Sequence, residues 1–412
     1  MFFILCLLLI TIVLIYFKLK YFTLYGSIPG TLLQFLFGNI VQTGFTHGEL
    51  FGNIALQYQA KYGDTFQFWF GPLHLIFVCN PEDVQHVFAY QQIYDPGDLN
   101  ANRHGLFFHH GLVCNRGPKY KRHAAIVLPL FRRNRILNNL DFVINCTDKL
   151  LEQWRSKTGN DPNYIHLDTV NQCQNVILGI FGFTGFDYDL KTLDESNINN
   201  KNQLTMAIYH FMGVFVKSFQ MPHIATKIYL KFSFQYRHAM VTISKYLNQM
   251  IEQEQRKTLE EIAQRKRISS IASLIGSLQQ DEKHEATKPE EEKKGLSRTE
   301  IFHEMLLFLV AGSESTGSVL AWFIYLMSKY PRVQKRFQNE DKDHYPYASI
   351  PFGSGHRQCI GQDLARFELK AIAVRLMQYV TFGDGGSQVN SGGYIQGLTL
   401  IPKNVGVTIT FD

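Results

Sequence analysis

The chain has 412 residues, 45% of them hydrophobic, 14% aromatic and 18% charged, which is ample for a large buried core. Its formal net charge of +6 suits a membrane surface or an acidic partner and falls short of a nucleic-acid footprint. Six cysteines with no C-x-x-C pair argue against a disulfide scaffold and a zinc site, and point to a reducing compartment.

The opening stretch "MFFILCLLLITIVLIYFKLK" carries no charge before Lys18 and has no basic n-region or small-residue cleavage site, as a cleaved signal would. Its apolar run matches the roughly 20 residues that span a bilayer. Lys18 and Lys20 follow that run, so the positive-inside rule places the remainder in the cytosol. Residues 1–22 are read as a signal anchor, 23–45 (with "YGSIPG" and "FGNI") as a hinge, and 46–412 as one catalytic domain.

Beyond the hinge, "HGELFGNIALQYQAKYGD" predicts a helix and "TFQFWFGPLHLIFVCN" a β-hairpin turning at Gly71-Pro72. "PEDVQHVFAY" predicts a helix with Pro81 in its first turn. Helical patterns then dominate from Lys119 to Arg267 and end in the charged "IEQEQRKTLEEIAQRKR", a solvated helix. "DEKHEATKPEEEKK" reads as a surface loop with no function of its own.

At Ser297 the capping box "SRTE" opens a helix that runs without proline to Tyr330 and is stopped by Pro331. Between Glu304 and Lys329 its one charged residue is Glu314, set in "GSESTGS". A lone carboxylate in lipid costs several kcal/mol. A helix crossing a globular core and lining a cavity therefore explains the pattern better than a second membrane span.

"IPFGSGHRQCIG" (Ile350–Gly361) sets Cys359 among glycines, with Arg357 two residues before it and a helix, "QDLARFELKAIAVRLMQYV", just after it. Gly353, Gly355 and Gly361 allow close backbone approach, and the helix N-terminus favours a thiolate. A cysteine protease needs a positioned base, which the loop gives no reason to expect of His356. Zinc needs further ligands at ligand spacing. A thiolate on haem iron remains. The chain closes with "YIQGLTLIPKNVGVTITFD", a predicted terminal hairpin, giving a mainly α class with a smaller β part (α+β).

"FGSGHRQCIG" resembles the cysteine-loop signature of the cytochromes P-450, the haem-thiolate monooxygenases. The similarity extends through the anchor, the "IPG…GN" hinge, "KYGD", the long central helix and the "PKNVGVTI" end, and is nearest the animal microsomal type. The resemblance implies haem b with Cys359 as iron ligand, Phe352 beside the thiolate, and Arg357 on a propionate, with Gly355 and Gly361 shaping the loop. It implies that "AGSEST" (Ala311–Thr316) is the oxygen-activation segment: Gly312 leaves room for O2, and Glu314 with Ser315, and Thr316 next to it, relays protons. Tyr120 in "GPKYKRHAA" stands where the family usually has a propionate-binding Trp, and Ala124 where it has Arg; Arg122 and His123 are candidates to replace that Arg. The implied partners are a lipophilic substrate (fatty acid, steroid or xenobiotic), O2 and an NADPH-dependent reductase, at the endoplasmic reticulum membrane.

One departure is large. Glu314 and Cys359 lie only 45 positions apart, and no Glu-x-x-Arg occurs between them; "EQWR" (Glu152–Arg155) is a coincidence far upstream. A segment is missing near Arg336–Phe337, so the P-450 fold is expected with an internal deletion. The 20 residues between Pro331 and Phe352 still reach about 70 Å when extended. The loss therefore burdens folding, by baring an edge of the strands near Thr65–Val78, more than it burdens chemistry. A shortened, inactive form is the alternative reading; a thiol hydrolase using Cys359 is a poorer one.

Overall fold

The computed structural model describes the chain apart from residues 1, 22, 25, 35–36, 45–48, 50, 71–72, 91–92, 95–96, 133–135, 160, 195–202, 219–220, 222, 259, 262–268, 280, 337–349, 391, 397–398 and 412. It divides into two units, residues 1–95 with 342–358 and residues 96–341 with 359–412.

In the first unit α1 (Phe2–Tyr21) is a continuous apolar helix ending in Lys18 and Lys20. At 1.5 Å per residue it is about 30 Å long, the thickness of a bilayer core. No part of it is buried in protein, as an anchor requires. Helix α2 (Phe51–Tyr62) buries Ile54 and Tyr58 against the hairpin of β1 (Thr65–Phe70) and β2 (Leu73–Val78). The antiparallel register pairs Thr65 with Val78 and Phe70 with Leu73, and Phe66 stacks on Phe77 at 4.9 Å. The predicted Gly71-Pro72 turn lies outside the described residues. Helix α3 (Pro81–Ala89) starts as predicted, with the Asn80 side chain capping it.

The stretch read as a hinge does more than link. Gly30 bridges Gln67 and Gly38 bridges Phe70, while the Trp69 N–H donates to Asn39 Oδ1 at 2.9 Å. A side chain at Gly30 would meet the Gln67 carbonyl at 2.7 Å, so only glycine lets the backbones come this close. The β1 edge, expected to be bare, is thus partly covered.

The second unit is helical: α4 (Asp98–Phe108), α5 (Gly117–Val127), α6 (Leu140–Thr158), α7 (Thr169–Phe186), α8 (Gln203–Ser218), α9 (His223–Phe232), α10 (Phe234–Gln255), α11 (Ser270–Gly276), α12 (Glu282–Thr287), α13 (Arg298–Lys329), α14 (Pro331–Arg336) and α15 (Gln362–Tyr379). Two antiparallel pairs complete it: β3 (Val380–Asp384) with β6 (Val407–Phe411), and β4 (Tyr394–Gln396) with β5 (Leu400–Pro402).

Helix α13 is its axis. Ser297 and Glu300 form the predicted capping box, and the 32 residues extend about 48 Å. Its middle packs tightly on α7. A Cβ at Gly317 would lie 2.9 Å from the Gln174 Cα. Most of the helix is buried in protein, which settles it as a core helix and not a bilayer span. One core cluster gathers α5, α8, α10 and the first half of α13; another joins α6, α7, α15 and the β3–β6 pair to its second half.

Three readings are corrected. The charged stretch breaks at Gln255, where Lys257 turns back to pair with Glu254 and Asp187; residues 260–261 are helical again, and 262–268 lie outside the described residues. The loop beginning at Asp281 contains α12, capped by the Asp281 side chain, and supplies Glu290 to a buried ion cluster. The terminal hairpin exists between β4 and β5, but residues 407–411 pair instead with β3, a strand hidden in the sequence directly after α15.

Candidate active site

The cysteine loop is built by its glycines. Gly353 and Gly355 take φ of 70° and 72°, the left-handed region that glycine enters without steric cost. A short 3-10 turn follows at Gly355–Arg357. The Cys359 carbonyl then accepts from the Gln362 N–H, and the Gly361 carbonyl from Ala365, starting α15. Cys359 is exposed and stands just before that helix. Ile360 and Leu364 pack on the first core cluster. The boundary between units falls between Gln358 and Cys359. Phe352, Gly355 and Arg357 therefore belong to the first unit; Cys359, Gly361, Tyr120 and Glu314–Thr316 belong to the second.

On α13 the predicted segment splits among different directions. Ala311 is exposed, Ser315 is half-buried, and Val319 is 50% exposed. These three recur at i, i+4 and i+8 and form one open stripe along the middle of the helix. The Ser315 hydroxyl donates to the Ala311 carbonyl at 2.8 Å. Thr316 is buried on another side. Gly312 is a notch, but the Phe181 ring occupies it: a Cβ there would meet the ring at 3.1 Å.

Glu314 points away from the stripe. It is 8% exposed; its Oε1 accepts from the Thr399 hydroxyl at 3.0 Å, and its Oε2 is buried without a partner. Burial pushes its carboxyl above the usual carboxylate range, against the hydrogen bonds from Thr399. Thr399 also lies 3.2 Å from Ser318 Oγ. Sequence reasoning missed Thr399, since nothing in a hairpin connection marks one threonine as the partner of a residue 85 positions away.

The expected replacements for the absent Arg at Ala124 are committed elsewhere. Arg122 forks onto Glu300, with Nη2–Oε1 at 2.7 Å and Nη1–Oε2 at 3.0 Å, and its Nε donates to Glu290 at 2.8 Å. His123 is fully buried, with Nδ1 2.6 Å from Glu304 Oε1 and Nε2 3.2 Å from Glu300 Oε1. Both cations thus clamp α5 to the start of α13 and are not available to a propionate. Tyr120 packs half-buried against the first core cluster, and Ala124 is 7% exposed. The upstream Glu152 and Arg155 are both exposed, and Arg155 lies over the Phe411 ring, as a coincidental motif would.

This cluster sets a pH dependence. Burial opposes charge on His123, but the hydrogen bonds it donates to Glu300 and Glu304 outweigh it and raise its pKa. Burial likewise opposes ionisation of Glu300, and His123 and Arg122 overcome it, holding that carboxyl far below the usual range. The His123 contribution is therefore full below its unfolded pKa of about 6.5 and is lost as pH rises through the raised folded value. That of Glu300 is full above about 4.3 and is lost in acid. The difference in thermal midpoint between wild type and His123→Gln is expected to be widest between about pH 5 and 6.5 and to narrow as the pH rises. Midpoints measured across pH check this; a difference that grows with alkalinity would contradict it.

The family profile described as Cytochrome P450 matches residues 28–344 and, separately, residues 335–408. Together these cover most of the chain, which belongs to the cytochrome P450 family, a family of haem-thiolate monooxygenases. Similar curated proteins include Cytochrome P450 72C1 of Arabidopsis thaliana, 20% identical over 280 residues, or 68% of this chain and 51% of that protein. The 11-oxo-beta-amyrin 30-oxidase of Glycyrrhiza uralensis is 25% identical over 297 residues, covering 70% and 52%. Probable cytochrome P450 4e1 of Drosophila melanogaster is 23% identical over 324 residues, covering 75% and 56%. The chain spans about half the length of the curated relatives it matches.

Proposed function

We propose that this chain is a membrane-anchored haem-thiolate monooxygenase of the animal microsomal type, inserting one oxygen atom from O2 into an apolar substrate. The observation that carries the reading is Cys359, exposed at the start of α15 within "FGSGHRQCIG". The electrons would come from NADPH through a reductase, at the endoplasmic reticulum membrane with the domain on the cytosolic side. A fatty acid, steroid or foreign lipophile is the substrate class. The Glycyrrhiza relative is named for the oxidation of 11-oxo-beta-amyrin, which supports an apolar substrate.

The residues present fit haem b on two counts. An exposed thiol at a helix N-terminus is the donor a haem-thiolate centre needs, and the Ala311–Ser315–Val319 stripe leaves small side chains open to a flat apolar group. Cys359 would hold the iron, Phe352 would lie beside the sulfur, and Arg357 and Tyr120 would meet the propionates. Bound haem supplies the activation of O2. Ser315 would hold an exchangeable proton on the stripe and Glu314 one behind it, with Thr316 as the neighbouring hydroxyl.

A second reading is a shortened, inactive form, and specific observations favour it. The two profile matches overlap at 335–344, around the expected junction at Arg336–Phe337, which borders residues outside the described set. The Glu-x-x-Arg motif is absent there, and Arg122 and His123 are engaged by carboxylates. Haem titration of the full chain separates the two. Saturable uptake with a thiolate-type spectrum, lost in Cys359→Ser, supports the enzyme. Absence of uptake by folded protein supports the shortened form.

A further inference from the structure

The two edges of the β1–β2 hairpin differ. The Cys79 N–H donates to the Asp64 carbonyl at 2.8 Å, which makes Asp64 and Cys79 a hydrogen-bonded pair and sets the alternation along the register. Leu73, Leu75 and Phe77 therefore turn their N–H and C=O groups toward β1. Those of Ile76 and Val78 point away from it, just as those of Gln67 and Trp69 point outward from β1. The β1 edge is closed there: the Gln67 N–H donates to the Pro29 carbonyl, and the Trp69 carbonyl accepts from the Asn39 N–H, each at 2.8 Å. The β2 edge is open. Among the described residues no strand other than β1 pairs with β2, and the outward groups of Ile76 and Val78 meet no hydrogen-bond partner.

An open edge is a template for another strand, and folded proteins ordinarily guard it with a charge, a proline or a bulge. The β2 sequence "LHLIFV" contains no Lys, Arg, Asp, Glu or Pro, and its register with β1 is unbroken. Ile76 on its outer face is 52% exposed. The edge is also complementary to itself. With a second copy running antiparallel about a twofold axis at Phe77, Ile76 of each chain exchanges both hydrogen bonds with Val78 of the other, and every outward group of these residues is met. The two Phe77 side chains then face each other at the position where cross-strand neighbours lie closest. Helix α1 favours a second copy over a foreign strand, because chains inserted in one bilayer share a plane and an orientation and so raise their concentration for each other.

We propose that β2 is an interface between two copies of this chain, joining their hairpins into one continuous antiparallel sheet across a twofold axis. The pairing needs neither haem nor Cys359, so it and the haem reading fail separately; it rests on the anchor reading only for the concentration that α1 provides.

Sedimentation equilibrium of the full chain in density-matched detergent, over a series of protein concentrations, compares wild type with Ile76→Pro and Ile76→Lys. Proline at 76 removes an N–H that points away from β1, so the hairpin keeps its own ladder while its edge is blocked. Wild type is expected to dimerise reversibly, and each variant to weaken the dimer by about tenfold or more. Residue-resolved amide exchange gives the second readout. The amides of Ile76 and Val78 are expected to slow as the wild-type concentration rises, whereas those of Leu75 and Phe77 stay protected throughout. Monomeric wild type, a dimer that a folded variant leaves unchanged, or exchange at Ile76 and Val78 that ignores concentration would overturn the proposal. Should Ile76→Pro fail to fold, Ile76→Lys decides alone by the same measures.

Discussion

Replacing Glu304 by alanine is expected to destabilise the second unit by about 3–5 kcal/mol, the usual consequence of removing one partner of a buried ion pair. Glu304 and His123 are both fully buried, and Oε1 meets Nδ1 at 2.6 Å. Without Glu304, the His123 ring keeps only its longer contact to Glu300, a carboxylate already shared with Arg122. His123 then either retains a poorly compensated charge or loses its proton, and the clamp between α5 and α13 loosens in both cases. Glu304→Gln, which keeps a hydrogen-bonding oxygen, is expected to cost less. The shift in unfolding midpoint of the full chain in detergent measures both. An alanine variant as stable as wild type would show that the cluster does not hold these helices.

The second large effect is expected from Trp154→Ala, at about 3–5 kcal/mol for truncating a buried tryptophan. Its ring is fully buried and edge-on to Phe382 at 5.9 Å, and its Nε1–H donates to Gln172 at 2.9 Å. One side chain thereby joins α6, α7 and the β3–β6 pair, which lie on either side of the shortened region in sequence. The prediction asks whether a chain with this junction possesses a cooperative core. Chemical denaturation of wild type and variant gives the answer: a broad transition insensitive to the substitution would indicate a loosely packed state.

Elements with local signals were legible in the sequence. Ser297 and Glu300 announced the start of α13 because a capping box satisfies helix donors within three residues, and Pro331 announced its end. The glycines around Cys359 announced an irregular loop before a helix for the same local reason. What depends on distant partners was not legible. β3 is five residues long and is defined by pairing with residues 407–411, so the sequence after α15 read as a turn. Glu290 sat in a charged stretch like any solvated acid, and only the fold brings Arg122 to it. The direction of Glu314 was likewise hidden. Its neighbours in sequence suggest a relay with Ser315, whereas the helix turns the two side chains apart and Thr399 takes the acid.

The central claim is that Cys359 still ligates haem in a chain that matches only about half the length of its relatives. Reducing the haem-supplied full chain in detergent, adding carbon monoxide and recording the absorption spectrum tests it directly. A strongly red-shifted Soret band, absent from Cys359→Ser, is the predicted result. Folded, haem-supplied protein with no such band would contradict the claim and leave the shortened, inactive form as the reading of this chain.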